Sequence, residues 1–506
     1  MRVGVLRDID SIDPLLSGQS ASSDVAAMVF SALVRFDDRG NTIPDVALAL
    51  PTRENGGISA DGKTIVYHLR RGVTFSDGHP LTAEDAAFTW RQTLNPKNNV
   101  PYRYPNDRAL SVTAAGPYTL VVKLKEPSAP FLSYFMRGGI QRAILPKHLL
   151  EHEPDLNRSP FNLRPIGSGP FVVARWQPGV ELDLVANPHY WRGTPKLAEI
   201  RYRIIPNDNS LRAALQSHDI DLWQAVPESQ VASLKEVPGI VETVAPTLGF
   251  EHVGFNTRHA PLDDLRVRQA LAYAIDWQGL RAKIYHGIGD PGMADIPPSS
   301  WAFNPAATPY PHDPVRACAL LDAAGWRLAP DGIRAREGKR FALDISSTTG
   351  AAERESAEIF IQQNLREIGV ELQVRNYPAS LLFAPLGAGG ILNAGKFDLS
   401  LSTWEKYPDP DDTDSIGPDT IPPRGANTTF WADPQVGRWL ALAVSRYSEA
   451  ERAPYYRLVQ ARIHEEVPFH TILWRANVNA VNSDLRGLRP GAGISDFWNV
   501  WEWELP

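Results

Sequence analysis

The feature that most constrains the fold is a strand pattern that passes through a tight turn into a helix pattern. Apolar and polar residues alternate from Thr64 to Arg70, the period of two that a half-buried strand requires. The turn at residues 76–80 contains Asp-Gly-His-Pro, in which Gly accepts positive φ and Pro fixes its own φ. Thr82 and Asp85 have the spacing of a capping box, and Pro96 ends the helix. These features predict a strand–turn–helix unit and do not by themselves indicate a function.

The same stretch resembles a known family, the substrate-binding proteins of ABC importers of the dipeptide, oligopeptide and nickel type (extracellular solute-binding family 5). From Gly72 to Phe88 the sequence follows the family signature and departs from it only by an Ala for the usual Val after Asp85. Further segments similar to family phrases are residues 144–150, 165–171, 187–196, 253–257 and 263–276. The resemblance extends from the N-terminus to about residue 475 and covers nearly the whole chain.

This resemblance implies an α/β fold of the periplasmic binding protein-like type (type II, cluster C), with two lobes that enclose the ligand and an accessory domain. The expected boundaries are residues 1–38, 167–246 and 475–506 for a discontinuous lobe I, 39–166 for accessory domain II, and 247–474 for lobe III. Within the C-terminal return, we expect Asp496 to Trp503 to form a closing aromatic strand.

Composition sets further bounds on what the chain can be. A length of 506 residues predicts two or three domains, and 43% hydrophobic with 22% charged residues is ordinary for a soluble globular protein. With a net charge of −7 and no basic tract, nucleic acid is not expected as a partner. No apolar run has the length of a membrane span. The single cysteine, Cys318, excludes an intrachain disulfide and lies in a helix pattern as a small buried hydrophobe.

The first residues carry no signal-peptide pattern. The chain opens Met1-Arg2-Val3-Gly4-Val5, without a positively charged leader and apolar core. Either the protein is cytosolic or a leader was trimmed from this sequence. The resemblance favours trimming, and it implies a periplasmic or extracellular, membrane-associated location. Whether the leader was a plain signal peptide or a lipoprotein anchor stays open.

Several segments match the sequence patterns of catalytic or metal-binding motifs but lack the structural context that those motifs require. Residues 148–152 fit His-x-x-Glu-His, but Pro154 interrupts the helix that a zinc site of this type needs. Residues 287–292 fit Gly-x-Gly-x-x-Gly within a loop that holds a proline. The acidic run 409–414 lacks the Gly and Glu that a calcium loop requires. We therefore expect no catalytic residue, no metal and no cofactor.

The most informative segment for ligand binding runs from Ser402 to Pro410. It resembles the family's Trp-x-x-Asp-Tyr-x-Asp-Pro loop, which lines the cleft; in peptide-binding members that first Asp holds the amino group of the peptide. Here Tyr407 stands three residues after Trp404, so no Asp occupies the anchoring place. Two replacements stay open: Glu405 could turn inward, or Asp409 could reach back.

The expected ligand-binding residues come from three loops. They are Ser17, Gln19 and Ser20 of a Ser-rich loop, Trp404, Glu405, Tyr407 and Asp409 of the segment above, and Arg424 and Asn427 of a Pro-Pro-Arg-Gly-Ala-Asn loop. We expect Trp404 and Tyr407 to form an aromatic wall of the pocket. The alternative is that Trp404 is a core residue.

The function implied by the resemblance is binding without catalysis. The protein would capture a peptide or peptide-like solute between two lobes by hinge closure and, as a monomer, deliver it to ABC permease transmembrane subunits. The missing Asp favours blocked or modified peptides, opine-like conjugates and glycosides over peptides with a free amino terminus. A non-peptide ligand such as these conjugates, a glycoside or a metal chelate, a ligand sensor, and an enzyme that uses the same cleft are the alternatives. The identity of the ligand stays open.

Overall fold

The computed structural model of the protein describes residues 1–17, 19–101, 103–136, 143–234, 237–491 and 495–506. The chain forms unit 1 (Met1–Thr247 and Asn477–Pro506) and unit 2 (Leu248–Ala476). The predicted borders of lobe III differ from those of unit 2 by at most two residues. The accessory domain predicted for residues 39–166 falls within unit 1, and its separation from lobe I stays a prediction.

Unit 1 contains a mixed sheet and a smaller antiparallel sheet. Its strands are β1 (Arg2–Val5), β2 (Val34–Phe36), β3 (Thr42–Pro44), β4 (Thr64–His68), β5 (Ala109–Gly116), β6 (Thr119–Leu124), β7 (Phe171–Gln177), β8 (Glu181–Ala186), β9 (Glu199–Ile204) and β10 (Leu222–Val226). Its helices are α1 (Ser20–Val29), α2 (Ala83–Leu94), α3 (Pro130–Tyr134), α4 (Lys147–Leu150), α5 (Asp208–Gln216) and α6 (Glu228–Leu234). The mixed sheet has the order β10-β1-β9-β8-β7, with β1 parallel to both of its neighbours. The order β4-β6-β5 forms the antiparallel sheet.

The strand–turn–helix prediction is confirmed. β4 buries Ile65 and Tyr67 completely, as the alternation requires. At the start of α2, Asp85 accepts hydrogen bonds from the Thr82 N–H at 2.8 Å and from the Thr82 hydroxyl at 2.9 Å. Its second carboxylate oxygen accepts the N–H of Lys147 at 3.0 Å, so the same cap also holds the start of α4.

The chain passes between the units within two long strands, β11 (Ile240–Phe255) and β19 (Phe469–Asn482). The other strands of unit 2 are β12 (Asp290–Pro291), β13 (Arg327–Leu328), β14 (Arg334–Arg336), β15 (Lys339–Arg340), β16 (Ala342–Ser346), β17 (Glu371–Val374) and β18 (Leu399–Glu405). Its helices are α7 (Leu265–Ala274), α8 (Trp277–Lys283), α9 (Pro314–Ala323), α10 (Ala352–Glu367), α11 (Ala379–Leu382), α12 (Ile391–Ala394), α13 (Thr413–Ile416), α14 (Pro434–Val444) and α15 (Glu449–Glu466).

The sheet of unit 2 combines parallel and antiparallel pairs. β16 is parallel to β17 and to β18, whereas β18 is antiparallel to β11. One face of this sheet buries apolar side chains such as Val253 and Leu401 against α7, α9 and α10. Cys318 lies on α9, as predicted for a helix, and packs half-buried against this core. Within the described residues, no helix is long and apolar enough to cross a membrane.

The prediction of a closing aromatic strand was wrong. Asp496–Glu502 forms a 3₁₀ helix, and the hydroxyl of Ser495 accepts the N–H of Phe497 at 3.2 Å at its start. Phe497, Val500 and Trp503 are fully buried at a spacing of three residues. This spacing places them on one side of a 3₁₀ helix, whose period is three, and not on one side of a strand.

A buried carboxylate, that of Asp45, organises the N-terminal part of unit 1. It accepts hydrogen bonds from the Ala32 N–H at 3.0 Å and from Arg35 at 2.8 Å, and it lies 3.5 Å from the guanidinium of Arg192. The guanidinium groups stack with indole rings in the order Arg70, Trp191, Arg192, Trp501 and Arg35, with successive separations of 4.8, 4.2, 5.0 and 4.8 Å. Each step has the geometry of a cation–π contact. One anion and two indole rings therefore join four separate segments of unit 1.

We expect Asp45→Asn to lower the free energy of unfolding by about 3–5 kcal/mol, because Arg35 stays buried after its anion is removed. Chemical denaturation at neutral pH measures this loss. Asp107→Asn is the matched control, since Asp107 is exposed in the same unit. Equal stabilities for the two variants would contradict the role of Asp45.

Candidate functional site

Polar side chains collect where the parallel strands of unit 2 end. β16, β17 and β18 run in the same direction and end at Ser346, Val374 and Glu405. Just beyond, the N–H of Ser347 donates to the side-chain oxygen of Asn376 at 2.9 Å. The carboxyl ends of parallel strands are the edge at which open α/β sheets bind ligands. This carboxyl edge of unit 2 is the candidate functional site.

A buried glutamate lies beside this edge in the middle of β11. Glu251 is fully buried and accepts the Arg354 Nε–H at 2.5 Å and the hydroxyl of Thr403 at 2.6 Å. Arg475 approaches the same carboxylate at 3.4 Å. Burial acts to raise the pKa of Glu251, but Arg354, Thr403 and Arg475 outweigh it and hold that pKa below its ordinary value. Glu251 is therefore an anion that fixes two guanidinium groups at the edge.

Glu405 is a second carboxylate at this edge, and it is differently placed. It pairs in register with Gly249, and its carboxylate lies so close to that glycine that a Cβ there would stand 2.7 Å from Oε1. The side chain is exposed, and within the described residues it forms no hydrogen bond or ion pair. The surrounding protein still removes part of its hydration and raises the pKa of Glu405, while Arg475 acts in the opposite direction. At this edge, the carboxylate of Glu251 thus has cation and hydrogen-bond partners, whereas that of Glu405 has none among the described residues.

Trp404 points to the opposite face of β18 and packs in an aromatic cluster. Its ring centroid lies 4.3 Å from that of His252, 5.1 Å from that of Phe469 and 5.8 Å from that of Phe250. Burial lowers the pKa of His252 to about 3, so the imidazole is neutral. Trp404 is half-buried. These contacts favour the core interpretation of Trp404, and the aromatic wall stays a prediction.

The residues that follow Trp404 divide into exposed and buried positions. Tyr407 is exposed, like Glu405. Asp409 is buried, and its two carboxylate oxygens accept from Arg452 at 2.8 and 2.6 Å. The same guanidinium also donates to the hydroxyl of Tyr456 at 2.8 Å. Asp409 is therefore held by a buried guanidinium inside unit 2, and its contact with a ligand amine stays a prediction that these bonds do not favour.

The two residues predicted from the Pro-Pro-Arg-Gly-Ala-Asn loop also differ in environment. Arg424 is exposed. Asn427 is fully buried, and its amide donates to the carbonyl oxygens of Gly417 at 3.0 Å and Trp431 at 2.8 Å. The side chain of Asn427 thus holds its own loop together. Its contact with ligand stays a prediction that these bonds do not favour.

The predicted binding residues of unit 1 lie before and at the start of α1. Gln19 and Ser20 are exposed. Ser17 is buried, and its hydroxyl donates to Asp10 at 2.5 Å, as does the hydroxyl of Ser22 at 2.6 Å. Ser17 therefore shapes the loop through Asp10, and its assignment as a ligand contact stays a prediction.

A buried acid stands on the same helix. Asp24 accepts the side-chain N–H of Gln224 at 2.8 Å, and no cation of the described residues contributes to its electrostatics. Burial raises the pKa of Asp24 to about 7, and hydrogen bonds with Ser495 and Gln224 offset only part of this effect. Asp496 lies nearby, and burial raises its pKa as well. Asp24 therefore holds its proton at a higher pH than an exposed Asp does.

The His-x-x-Glu-His segment is not arranged as a zinc site. α4 ends at Leu150, so His148 and His152 do not lie on one continuous helix. Nε2 of His148 lies 2.8 Å from Asp77, and the ring stacks on His79 at 3.9 Å. Over the part of the chain that the structure describes, no group of three or more His, Cys, Asp or Glu side chains could hold a metal ion.

Sequence reasoning missed Glu251, Arg354 and Arg475. Each is a charged residue inside or beside an apolar element, and Glu251 stands directly before the His-Val-Gly-Phe run of β11. A charge within a strand that is otherwise buried is the signal that could have found Glu251. Its partners could not be found in the same way, because Arg354 and Arg475 are 103 and 224 residues away along the chain.

The fold and this edge define a class of protein. The chain forms two units and passes between them twice, and unit 2 has charged and hydroxyl groups at the carboxyl ends of its parallel strands. This arrangement is the periplasmic binding protein-like fold of solute-binding proteins. The chain belongs to the bacterial extracellular solute-binding proteins of family 5. The profile described as "Bacterial extracellular solute-binding proteins, family 5 Middle" matches residues 43–417.

Relatives cover nearly the whole chain. The oligopeptide-binding protein AppA of Bacillus subtilis is 27% identical over 510 residues, which span 99% of this chain and 91% of AppA. Its structure with a nonapeptide has a TM-score of 0.79 and covers 100% of this chain and 98% of AppA. Protein XP55 of Streptomyces lividans is 30% identical over 79% of this chain and 72% of XP55. The structure of NikZ from Campylobacter jejuni with Ni(L-His) has 28% identity and a TM-score of 0.81, and covers 100% and 99% of the two chains.

The substitution Trp404→Ala separates packing from ligand contact. Because the ring packs on Phe250, His252 and Phe469, we expect the ligand-free protein to lose about 2 kcal/mol of unfolding free energy or more. Denaturation of the ligand-free protein measures this loss, and Trp404→Phe should recover much of it. Unchanged ligand-free stability together with weaker ligand binding would instead establish the aromatic wall.

We expect Asp24→Asn to change how stability depends on pH. The folded state holds the Asp24 proton up to about pH 7, whereas an unfolded Asp releases it near pH 3.9. Stability therefore falls as pH rises from about 4 to 7, by up to about 4 kcal/mol for one proton. Asp24→Asn removes this contribution, so its unfolding free energy should fall less over that range. Identical pH profiles for the wild type and the variant would contradict the assignment.

Proposed function

We propose that this protein is the substrate-binding component of an ABC importer, which binds a peptide or peptide-like solute and delivers it to the transmembrane permease subunits. Family membership over residues 43–417 supports the transport role. Similarity to an oligopeptide-binding protein over 99% of the chain supports a peptide ligand. In this proposal the protein binds without catalysis, works outside the cytoplasm and acts as a monomer.

The observation that carries the ligand class is the carboxylate of Glu405. It lies exposed at the carboxyl edge of unit 2, without a hydrogen-bond or ion-pair partner in the described residues. A carboxylate in a partly dehydrated place binds an ammonium group through charge-assisted hydrogen bonds. Glu405 is thus suited to hold the amino terminus of a peptide.

The geometry also favours one of the two replacements left open by the sequence. Asp409 is already bonded through both oxygens to Arg452. Using it for a ligand amine would leave a buried guanidinium without its anion, which is costly. Glu405 has no such commitment, so it is the replacement that we propose. The expectation that free peptides are disfavoured is accordingly set aside in this proposal, and blocked peptides serve as its test.

We expect free peptides to stabilise the wild-type protein more than their N-acetylated forms. Glu405→Gln should abolish that difference, because an amide cannot balance an ammonium charge. The expected loss is about 1.5–3 kcal/mol, or about 10- to 150-fold in Kd for the free peptide. Thermal shift followed by calorimetric titration with di- to penta-alanine and their acetylated forms provides the measurement.

Glu367→Gln is the matched control, since Glu367 is an exposed glutamate at the end of α10 in the same unit. It should leave the binding of every peptide unchanged. Equal binding of free and acetylated peptides by the wild type would refute the amine anchor. Binding of neither form, with sugars or conjugates bound instead, would refute the peptide ligand.

A further inference from the structure

A lysine within the loop after β18 is buried against two acids. The Lys406 ammonium contacts Asp412, and the two side chains are only 8% and 4% exposed. Its nitrogen also lies 5.4 Å from the ring centroids of both Phe250 and Trp404. The N–H of Lys406 donates to the carbonyl oxygen of Leu248 at 2.9 Å. The side chain therefore lies beneath the aromatic cluster that contains Trp404.

The second acid, Asp295, has an unusual environment. It is 1% exposed, and within the described residues neither of its carboxylate oxygens accepts a hydrogen bond from another residue. One oxygen of Asp412 is also without a donor. Burial and the neighbouring Asp412 raise the pKa of Asp295 well above its ordinary value, and Lys406 opposes them only in part. A proton on Asp295 would supply the missing donor, with Asp412 as its acceptor.

Charge balance favours one proton in this group. With one proton shared between Asp295 and Asp412, the two acids carry one negative charge, which matches the ammonium of Lys406. If that proton is absent, the group buries a net negative charge. If a second proton is bound, the ammonium of Lys406 is buried without an anion. Either state is costly in a site of low polarity. Among the described residues, Asp414 on α13 and the neutral His252 on β11 also interact electrostatically with Lys406.

Through Lys406, the group joins two other segments to the binding loop. Asp295 follows β12, Asp412 stands just before α13, and Lys406 follows directly after Glu405. At the far end of the loop, Asp409 is held by Arg452. The loop is therefore fixed at 406 and at 409 by buried charges, which leaves Glu405 and Tyr407 exposed.

We propose that Lys406, Asp412 and Asp295 position residues 404–409, the segment with Trp404, Glu405 and Tyr407, for ligand binding. Lys406 and its two partners are thus positioning residues, and the ligand contact that they support is that of the exposed Glu405 and Tyr407. The effect on affinity rests on the proposed peptide function, whereas the effect on the ligand-free loop does not.

The number of protons held by the folded group provides a sharp test. The wild type holds one proton that the unfolded chain releases above about pH 4, so its stability falls as pH rises. The folded Asp295→Asn variant should hold no such proton, so its stability should fall less steeply as pH rises. The folded Lys406→Met variant should hold two protons, so its stability should fall more steeply as pH rises. The double variant Lys406→Met with Asp295→Asn should hold one and return to the wild-type slope, which a merely structural role would not produce.

Lys406→Met should also increase amide hydrogen exchange at residues 404–409 in the ligand-free protein and weaken tetra-alanine binding by about tenfold. Lys339→Met, at an exposed lysine of the same unit, is the control and should change neither. If Lys406→Met does not fold, the comparison of wild type with Asp295→Asn still tests the shared proton, and Asp295→Asn with Lys406→Arg tests the loop.

The three measurements test the shared proton, the positioning role and the peptide function separately. Equal pH slopes in all variants would overturn the shared proton. Unchanged exchange at 404–409 would overturn the positioning role. Failure of the wild type to bind tetra-alanine would count against the peptide function alone, because the slopes and the exchange are measured without ligand.

Discussion

A carboxylate that is fully removed from water must meet cations or hydrogen-bond donors, and Glu251 is fully buried in the middle of a strand. Arg354 from α10, Thr403 from β18 and Arg475 from β19 all converge on it. One charge therefore holds a helix and three strands in a fixed arrangement at the carboxyl edge of unit 2. Glu251 thus has partners within unit 2, whereas the neighbouring carboxylate of Glu405 has none among the described residues, and this difference is why we propose Glu405 as the ligand contact.

Three other buried carboxylates of the chain, those of Asp45, Asp24 and Asp295, have three different kinds of partner. Asp45 faces Arg35 and Arg192, and the guanidinium groups are further stabilised by indole rings. Within the described residues, Asp24 meets amide and hydroxyl donors and no cation, and burial therefore raises its pKa to about 7. Asp295 has another acid as its neighbour and a single ammonium nearby. The partner available to each buried acid thus decides whether it is a structural anion or a group that exchanges a proton.

Local sequence was sufficient where the structure depends on neighbours along the chain. The alternation in β4 and the capping box of Thr82 and Asp85 follow from spacing alone. The C-terminal segment 496–502 shows the limit, since its aromatic residues fit a strand period as well as a three-residue helical period until their packing is known. The partners of Glu251 and of Asp409 could not be predicted, because Asp409 meets Arg452 43 residues later and nothing in the sequence specifies that pairing.

The segment 404–409 shows how position in a loop determines which charge faces a ligand. In the family pattern that the sequence resembles, an Asp precedes the Tyr; here the residue before Tyr407 is Lys406. Its ammonium is balanced inside unit 2 by Asp412, so this position presents no net charge to solvent. Residues that alternate along an extended chain point to opposite sides, and Glu405 therefore faces away from the buried Lys406. Within residues 404–409, Glu405 is thus the exposed carboxylate, and it stands at the end of β18, where a regular strand paired with β11 holds it in place.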